Sequence, residues 1–323
     1  MKKIIAVVCA AALALSLAAC KTEKTQAPVK VYMINGPTGI GAVNLMEKAE
    51  KGETENSYSF SVVTEPNEIV AKLSSGDADI AAVATNLAAK IYNKTNGGVS
   101  VLAVNTLGVL DIVTNGTEIQ KLTDLKGKKV YSTGKGANPE LIINYLLAKN
   151  GMSDKDFNMT YMADGTELLT VFAKEKDAVI IAPEPVASSI TAKYETSKIG
   201  LSLTDEWKKV SSDSSLMMGC VVVRNDFLSR NPETVKAFLK EYEASANAAN
   251  ENADSSAALC EKYGIVAKAA IAKKAMPGCN ICFVTGEEMK TGLSGYLKVL
   301  FDYDKTSVGG KLPADDFYYA YEK

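Results

Sequence analysis

From Val29 the chain is apolar through Ile34, breaks at Asn35-Gly36-Pro37-Thr38-Gly39, and resumes with Ala42, Val43, Leu45, Met46 and Ala49 at helical spacing. This pattern predicts a strand, a glycine turn and a helix. A second strand is expected near Phe60 to Val63, then a helix capped by Asn67 and ended by Gly76, then a continuous apolar strand from Ile80 to Val83. Strands alternating with helices imply a parallel sheet covered on both faces. About 100 residues later the pattern returns. Val130-Tyr131 echoes Val31-Tyr32, and Ser132-Thr133-Gly134-Lys135-Gly136 leads into a helix with Asn138 as cap and Pro139 in its first turn. Asp177 to Ala182 matches Asp77 to Ala82. Convergent strand statistics can produce such echoes, but two similar halves fit a two-lobed α/β body.

Two long apolar stretches, Val99 to Val113 with Gly108 inside and Leu216 to Val223, lie between and after the halves. If both cross between lobes they form a two-strand hinge. The division expected is then residues 29–112 with 220–323 as the first lobe and 113–219 as the second. The tail from Asn231-Pro232-Glu233 reads as a helix to about Asn250, with another over Gly286 to Phe301, completing the first lobe.

Residues 1–19 read as an export signal: Lys2 and Lys3 precede a nearly unbroken apolar run over residues 4–17, shorter than the roughly 20 residues a bilayer needs. The run ends Leu17-Ala18-Ala19-Cys20, which resembles a bacterial lipobox, implying cleavage before Cys20 and lipid on its thiol; a plain secretory signal with an incidental cysteine is the alternative. Residues 20–28 are polar and read as a flexible leash. Lys and Arg total 36 against 38 Asp and Glu, and losing Lys2 and Lys3 leaves 34 against 38, a mildly acidic body unsuited to neutralising nucleic-acid phosphates. Histidine is absent, which excludes His-based triads and His-ligated zinc. Of the cysteines past Cys20, Cys279 and Cys282 form a C-x-x-C that fits a redox pair, half a zinc site or two small apolar fillers, with packing or an opportunistic disulfide, also open to Cys260, favoured over metal.

The lipobox, Asn35 to Gly39, Asp124-Leu125-Lys126-Gly127-Lys128 before the second half's first strand, and Val222-Val223-Arg224-Asn225-Asp226-Phe227 leading to Asn231-Pro232-Glu233 together resemble substrate-binding lipoproteins of ATP-driven importers, nearest the nitrate, sulfonate, taurine and thiamine-precursor type. The resemblance covers residues 29–323. It implies a two-lobed periplasmic-binding-protein-like fold of the second topological type: two mixed sheets flanked by helices and joined by two hinge strands. It also implies a small organic solute, sulfonate-, carboxylate- or pyrimidine-like, gripped between lobes and delivered to a permease and its ATPase. The protein is then an extracytoplasmic, lipid-anchored monomer without cofactor, metal, nucleic acid or catalytic residues. A surface lipoprotein that senses or adheres is one alternative, and an enzyme like the thiamine-precursor synthases another.

In open α/β sheets ligands lie beyond the carboxyl ends of the strands, where helix heads offer free N–H groups and partial positive charge. The candidates are Asn35, Gly36, Pro37, Thr38, Gly39, Thr85 and Asn86 in the first lobe, and Thr133, Lys135, Gly136, Asn138 and Glu184 in the second. Thr38, Thr85 and Asn138 have the alternative of capping their own helices, and Lys135 of pointing to solvent. Glu184 between two prolines favours a zwitterion or polar heterocycle over a bare inorganic anion. Arg224 is the better of two arginines for clamping an anion, unless it is a surface charge at a strand end. Asp111 inside an apolar run needs water or a buried partner. Ser132-Thr133-Gly134-Lys135, Ser212-Asp213-Ser214 and Lys290-Thr291-Gly292 mimic the order of penicillin-recognising acylase motifs, but Ser132 follows a strand and Lys290 lies in a helical pattern, so the required geometry is not expected.

Overall fold

A computed structural model describes residues 27–211 and 214–321. The export segment, Cys20 and most of the leash lie outside the described residues, as does the Ser212-Asp213 pair. The first sheet begins with β1 (Val29–Ile34), β2 (Tyr58–Val63), β3 (Ile80–Ala84) and β4 (Val99–Thr106). After β1 come α1 (Pro37–Ile40) and α2 (Val43–Glu50), after β2 comes α3 (Pro66–Ser75), and after β3 comes α4 (Thr85–Lys94). The α3 helix starts one residue before the expected cap: Pro66 takes the first turn, where its fixed φ is preorganised, and Glu65 rather than Asn67 is the N-cap. Its end is as expected, with Gly76 left-handed at φ 80° and donating to the Leu73 carbonyl.

The chain then passes to a second sheet of β5 (Leu110–Asn115), β6 (Lys129–Ser132), β7 (Asn158–Tyr161), β8 (Val179–Pro183) and β9 (Ser197–Ser202). Its helices are α5 (Asn138–Lys149), α6 (Gly165–Lys174), α7 (Val186–Lys193) and α8 (Leu203–Val210). It returns through residues 214–218 into β10 (Gly219–Arg224), then α9 (Asn225–Arg230), α10 (Pro232–Glu251), α11 (Ala253–Lys262), α12 (Ala269–Ala275), β11 (Ile281–Val284) and α13 (Gly286–Tyr303).

The sheet orders are β11-β4-β10-β3-β1-β2 and β7-β6-β8-β5-β9. Within the first, β1 pairs in parallel with β2 and β3, while β10 runs antiparallel to β3 and β4. Within the second, β6 pairs in parallel with β7 and β8, and β5 is antiparallel to β8 and β9. The fold is thus the expected pair of mixed sheets. The long apolar stretch Val99 to Val113 is not one hinge strand: it divides into β4 and β5 in different sheets, with Leu107 to Val109 as the crossing. Leu110 to Ile112, expected with the first lobe, pair in the second sheet. Gly108 lets the crossing run close to the second lobe, since a Cβ there would fall 2.2 Å from Thr204 Oγ1 and 3.0 Å from Leu216 Cδ1. Gly219, at the return crossing, pairs in the first sheet with Ala84.

Three apolar clusters hold these layers. One covers the outer face of the first sheet around Met33, Val221, Phe238 and Tyr242. Another covers a face of the second around Tyr131, Phe172 and Ile190. The third runs through both sheets, joining Val101 and Val222 to Ile112, Ile181, Trp207 and Tyr296. Its seam is aromatic: the Trp207 ring on α8 lies 4.7 Å from Tyr145 on α5 and 5.6 Å from Tyr296 on α13, centroid to centroid. The lobes therefore share packed apolar surface on the side of α13 and are not tethered by the two crossings alone.

Candidate functional site

Each sheet sends a helix head toward the crossings. On the first, β3 gives way directly to α4 at Thr85; on the second, β6 is followed by a turn and α5 at Asn138. Both side chains are buried, and both residues meet the same atom, the Met218 carbonyl oxygen. Thr85 N donates to it at 3.1 Å and Asn138 Nδ2 at 3.4 Å. Thr85 Oγ1 also donates to the Met217 carbonyl at 2.6 Å, and Met218 N donates to the Thr106 carbonyl at 3.0 Å. Heads of helices from different sheets thus converge where the two crossing segments run side by side. Asn138 is not the expected cap: Ala137 holds the cap position and Asn138 is the first helical residue, its amide turned to Met218.

The other candidates fall into separate groups. Asn35 is exposed, and its N–H continues the strand pairing to the Val63 carbonyl. Gly36 is left-handed at φ 84° and donates to the Ile265 carbonyl, and Pro37 opens the single turn of α1. The Thr38 carbonyl accepts from Asn105 Nδ2 at 2.9 Å, and a Cβ on Gly39 would come within 2.4 Å of the Ile34 carbonyl oxygen. Asn86 is buried but faces away from the crossings, its Nδ2 donating to the Ser307 carbonyl of the C-terminal tail. Thr133 is half-buried, while Lys135 and Gly136 are exposed, with the Gly136 N–H donating to Glu140 in the first turn of α5. Solvent, the bland alternative for Lys135, is where it lies.

Glu184 is 4% exposed. Its Oε1 accepts from Ser188 Oγ at 2.9 Å and its Oε2 from Ser188 N at 3.0 Å, one turn into α7. Its own N–H donates to the Val109 carbonyl of the first crossing. Across the lobes it faces Gly278: a Cβ there would lie 2.9 Å from Glu184 Oε1, so a side chain at 278 would require the Glu184 carboxyl to shift. Burial pushes the Glu184 carboxyl up. Asp111 on β5 is half-buried, and burial with the nearby Asp205 raises its carboxyl to about 6 against a hydrogen bond from Ser202. Beside this point a groove of about 440 Å³ separates Leu169, Pro185, Ser189 and Ala192 from Val266 and Ile271 of the first lobe.

Asn105, Thr106, Met217, Met218 and Gly278 complete the surroundings and were not among the expected residues. The signal for the first two was present: they are polar residues ending the apolar run of β4, where Asn105 Nδ2 also reaches the Tyr242 hydroxyl at 2.8 Å.

Arg224 is no clamp. Its Nη2 lies 3.0 Å from Asp79 Oδ1, and because β10 is antiparallel to β3 this puts it at the far end of the sheet from the helix heads. Replacing Arg224 with alanine is expected to lower stability in urea denaturation by about 1 kcal/mol, as for a partly buried pair; a loss several times larger would show that it does more than hold Asp79. Ser132 is buried with Oγ donating to the Ile181 carbonyl, and Lys290 pairs with Asp315 on a helix, so the acylase geometry is not formed. Cys220, Cys260, Cys279 and Cys282 are free thiols, so the opportunistic disulfide is not formed either, and burial pushes the Cys282 thiol up to about 12. No group of metal-holding side chains occurs among the described residues.

A family model described as NMT1/THI5 like matches residues 61–256, more than half of the chain. A binding protein of Brucella abortus (strain 2308) is 24% identical over 237 residues, 71% of this chain and 71% of that one. The fold is similar to that of an ABC transporter protein from Parabacteroides distasonis (TM-score 0.77, 22% identity, 92% of this chain and 100% of that chain). It is also similar to the periplasmic aliphatic sulphonate binding protein SsuA from Escherichia coli (TM-score 0.70, 12% identity, 92% and 94%). A third similar structure is the ligand binding component of an ABC-type import system from Staphylococcus aureus (TM-score 0.67, 17% identity, 91% and 97%).

Proposed function

We propose, since the chain belongs to the NMT1/THI5-like family, that it is an extracytoplasmic solute-binding protein of an ABC importer. It takes a small organic solute, sulfonate-, carboxylate- or pyrimidine-like, between its sheets and presents the closed form to a permease and ATPase. The observation that supports this most is the shared Met218 carbonyl, where heads of helices from both sheets meet. Backbone donors at helix heads suit a polar solute, and a solute bridging both lobes favours the closed arrangement by the difference in contacts between the two states. The lobes then act as a two-state element whose closed state is what the permease reads.

A thermal-shift screen of alkanesulfonates, short carboxylic acids, amino acids and pyrimidines tests the reading. A solute present at 100 times its dissociation constant is expected to raise the midpoint by several degrees. If no class moves the midpoint, or if a bound compound is turned over, the receptor assignment is wrong.

The lipid tether is a separate expectation. Mass spectrometry of the mature protein is expected to find a diacylglycerol-sized increment on Cys20, and C20S to release the protein from membranes. An unmodified Cys20 in a membrane-free protein would overturn it.

A further inference from the structure

The groove along α7 is a cavity whose walls come from both lobes. Leu169 on α6 and Ala192 on α7 form one side, and Val266 before α12 and Ile271 on it form the other, around a volume of about 440 Å³. The groove starts beside the first crossing at Pro185 and follows α7 to Lys193 in its last turn, about 12 Å along the helix axis. Thr85, Asn138 and Met218, which meet at the crossings, do not line it.

Two cations border this apolar space, one from each lobe: Lys193 and Lys268. Both are exposed, and neither belongs to an ion pair among the described residues. The carboxylates of α11 are engaged elsewhere, since Glu261 accepts the Ala269 N–H at 2.7 Å and Asp254 pairs with Lys273. Lys193 Nζ lies 5.3 Å from the centre of the Tyr194 ring, a contact that orients the ammonium without neutralising it.

A cavity of this volume is the size of a small-molecule site, whereas a stable protein partner covers roughly 800 Å² of each surface. The apolar walls favour a hydrocarbon body, and the unpaired lysines favour a negative end. A short acid leaves the walls wet, and a neutral chain leaves the lysines without a counter-charge.

We propose that the groove is a second ligand site, separate from the solute site at the crossings, for a single-chain amphiphilic anion of the alkyl carboxylate class, with its tail between Leu169, Ala192 and Ile271 and its head toward Lys193 and Lys268. Because the walls belong to different lobes, the bound chain favours the arrangement in which they stand at this spacing.

Calorimetric titration of the intact protein with octanoate tests this, with butyrate, octanol and octyltrimethylammonium as controls. Saturable binding of octanoate is expected, about tenfold or more tighter than that of any control. K193A and K268A are each expected to weaken octanoate about fivefold while leaving octanol unchanged. A192W, which fills the groove from an exposed position, is expected to abolish binding. Octanoate binding that survives A192W lies elsewhere, and binding that depends on one lysine alone is not held by both lobes; either result overturns the proposal. Binding of octanol or of the cation as tight as that of octanoate overturns it as well. So does attachment to phosphatidylglycerol vesicles without binding of free octanoate, which would make this face a membrane contact.

Discussion

Trp207→Ala is expected to destabilise the protein by about 4 kcal/mol, measured by urea denaturation followed by circular dichroism. Trp207 is fully buried, and its Nε1 donates to the Ser214 carbonyl at 3.0 Å, so the indole both fills the seam and ties down the segment leading to the second crossing. Truncation leaves a large cavity between α8, α5 and α13 and removes two aromatic contacts, each worth about 1 kcal/mol beyond burial. It also strips the partner from a carbonyl. If the loss were near 1 kcal/mol, the seam would be loosely packed and the lobes mechanically independent. Phe172→Ala, set in the cluster confined to the second sheet, is the comparison: it is expected to cost a similar amount while leaving the contacts of α13 intact.

Asp111→Asn is expected to stabilise the protein by about 2 kcal/mol at pH 7.5 and to change little at pH 3.5. The sign follows from the direction of the shift. Asp111 takes up its proton more readily in the folded chain, at about 6, than the ordinary value of 3.8 that describes the unfolded chain. Between those values the unfolded chain loses its proton first, so stability drains away as pH rises from about 4 to about 6 and stays low above it. Two units correspond to roughly 3 kcal/mol, and partial access to water reduces this. Glu184 is shifted the same way, whereas Glu47, Glu50 and Asp77 on the surface are shifted downward and oppose the trend. The informative quantity is therefore the difference between variant and parent as pH varies. A difference constant from pH 3.5 to 7.5 would mean that Asp111 is hydrated in the folded state.

The architecture was legible where apolar runs are continuous. Ile80 to Val83 and Val179 to Ala182 are buried on both faces and read as strands without help from their partners. Thr85 and Asn138 could be placed near the crossings because each follows a strand directly or through a glycine turn. Their partner could not, because the Met218 carbonyl arrives from a segment 80 or more residues away. Asn86 shows the limit of reading loops as blocks: one residue past Thr85, the helix has rotated about 100°, which sends its side chain to the C-terminal tail. For Arg224 the strand-end alternative to the clamp is the one seen, and the direction of β10 against β3 decides which end of the sheet it occupies. The split at Leu107 to Val109 was hidden because both flanking strands are largely apolar and the crossing itself carries two apolar residues around Gly108.

The chain contains a single tryptophan, and its ring reaches from α8 to lie between α5 and α13. Excited at the red edge, where tyrosine does not absorb, indole emission from the unlabelled protein is therefore a one-position signal from the joint between the halves: any rearrangement there alters the polarity around the indole, and a shift in its emission maximum can follow domain motion in a stopped-flow instrument without an attached dye.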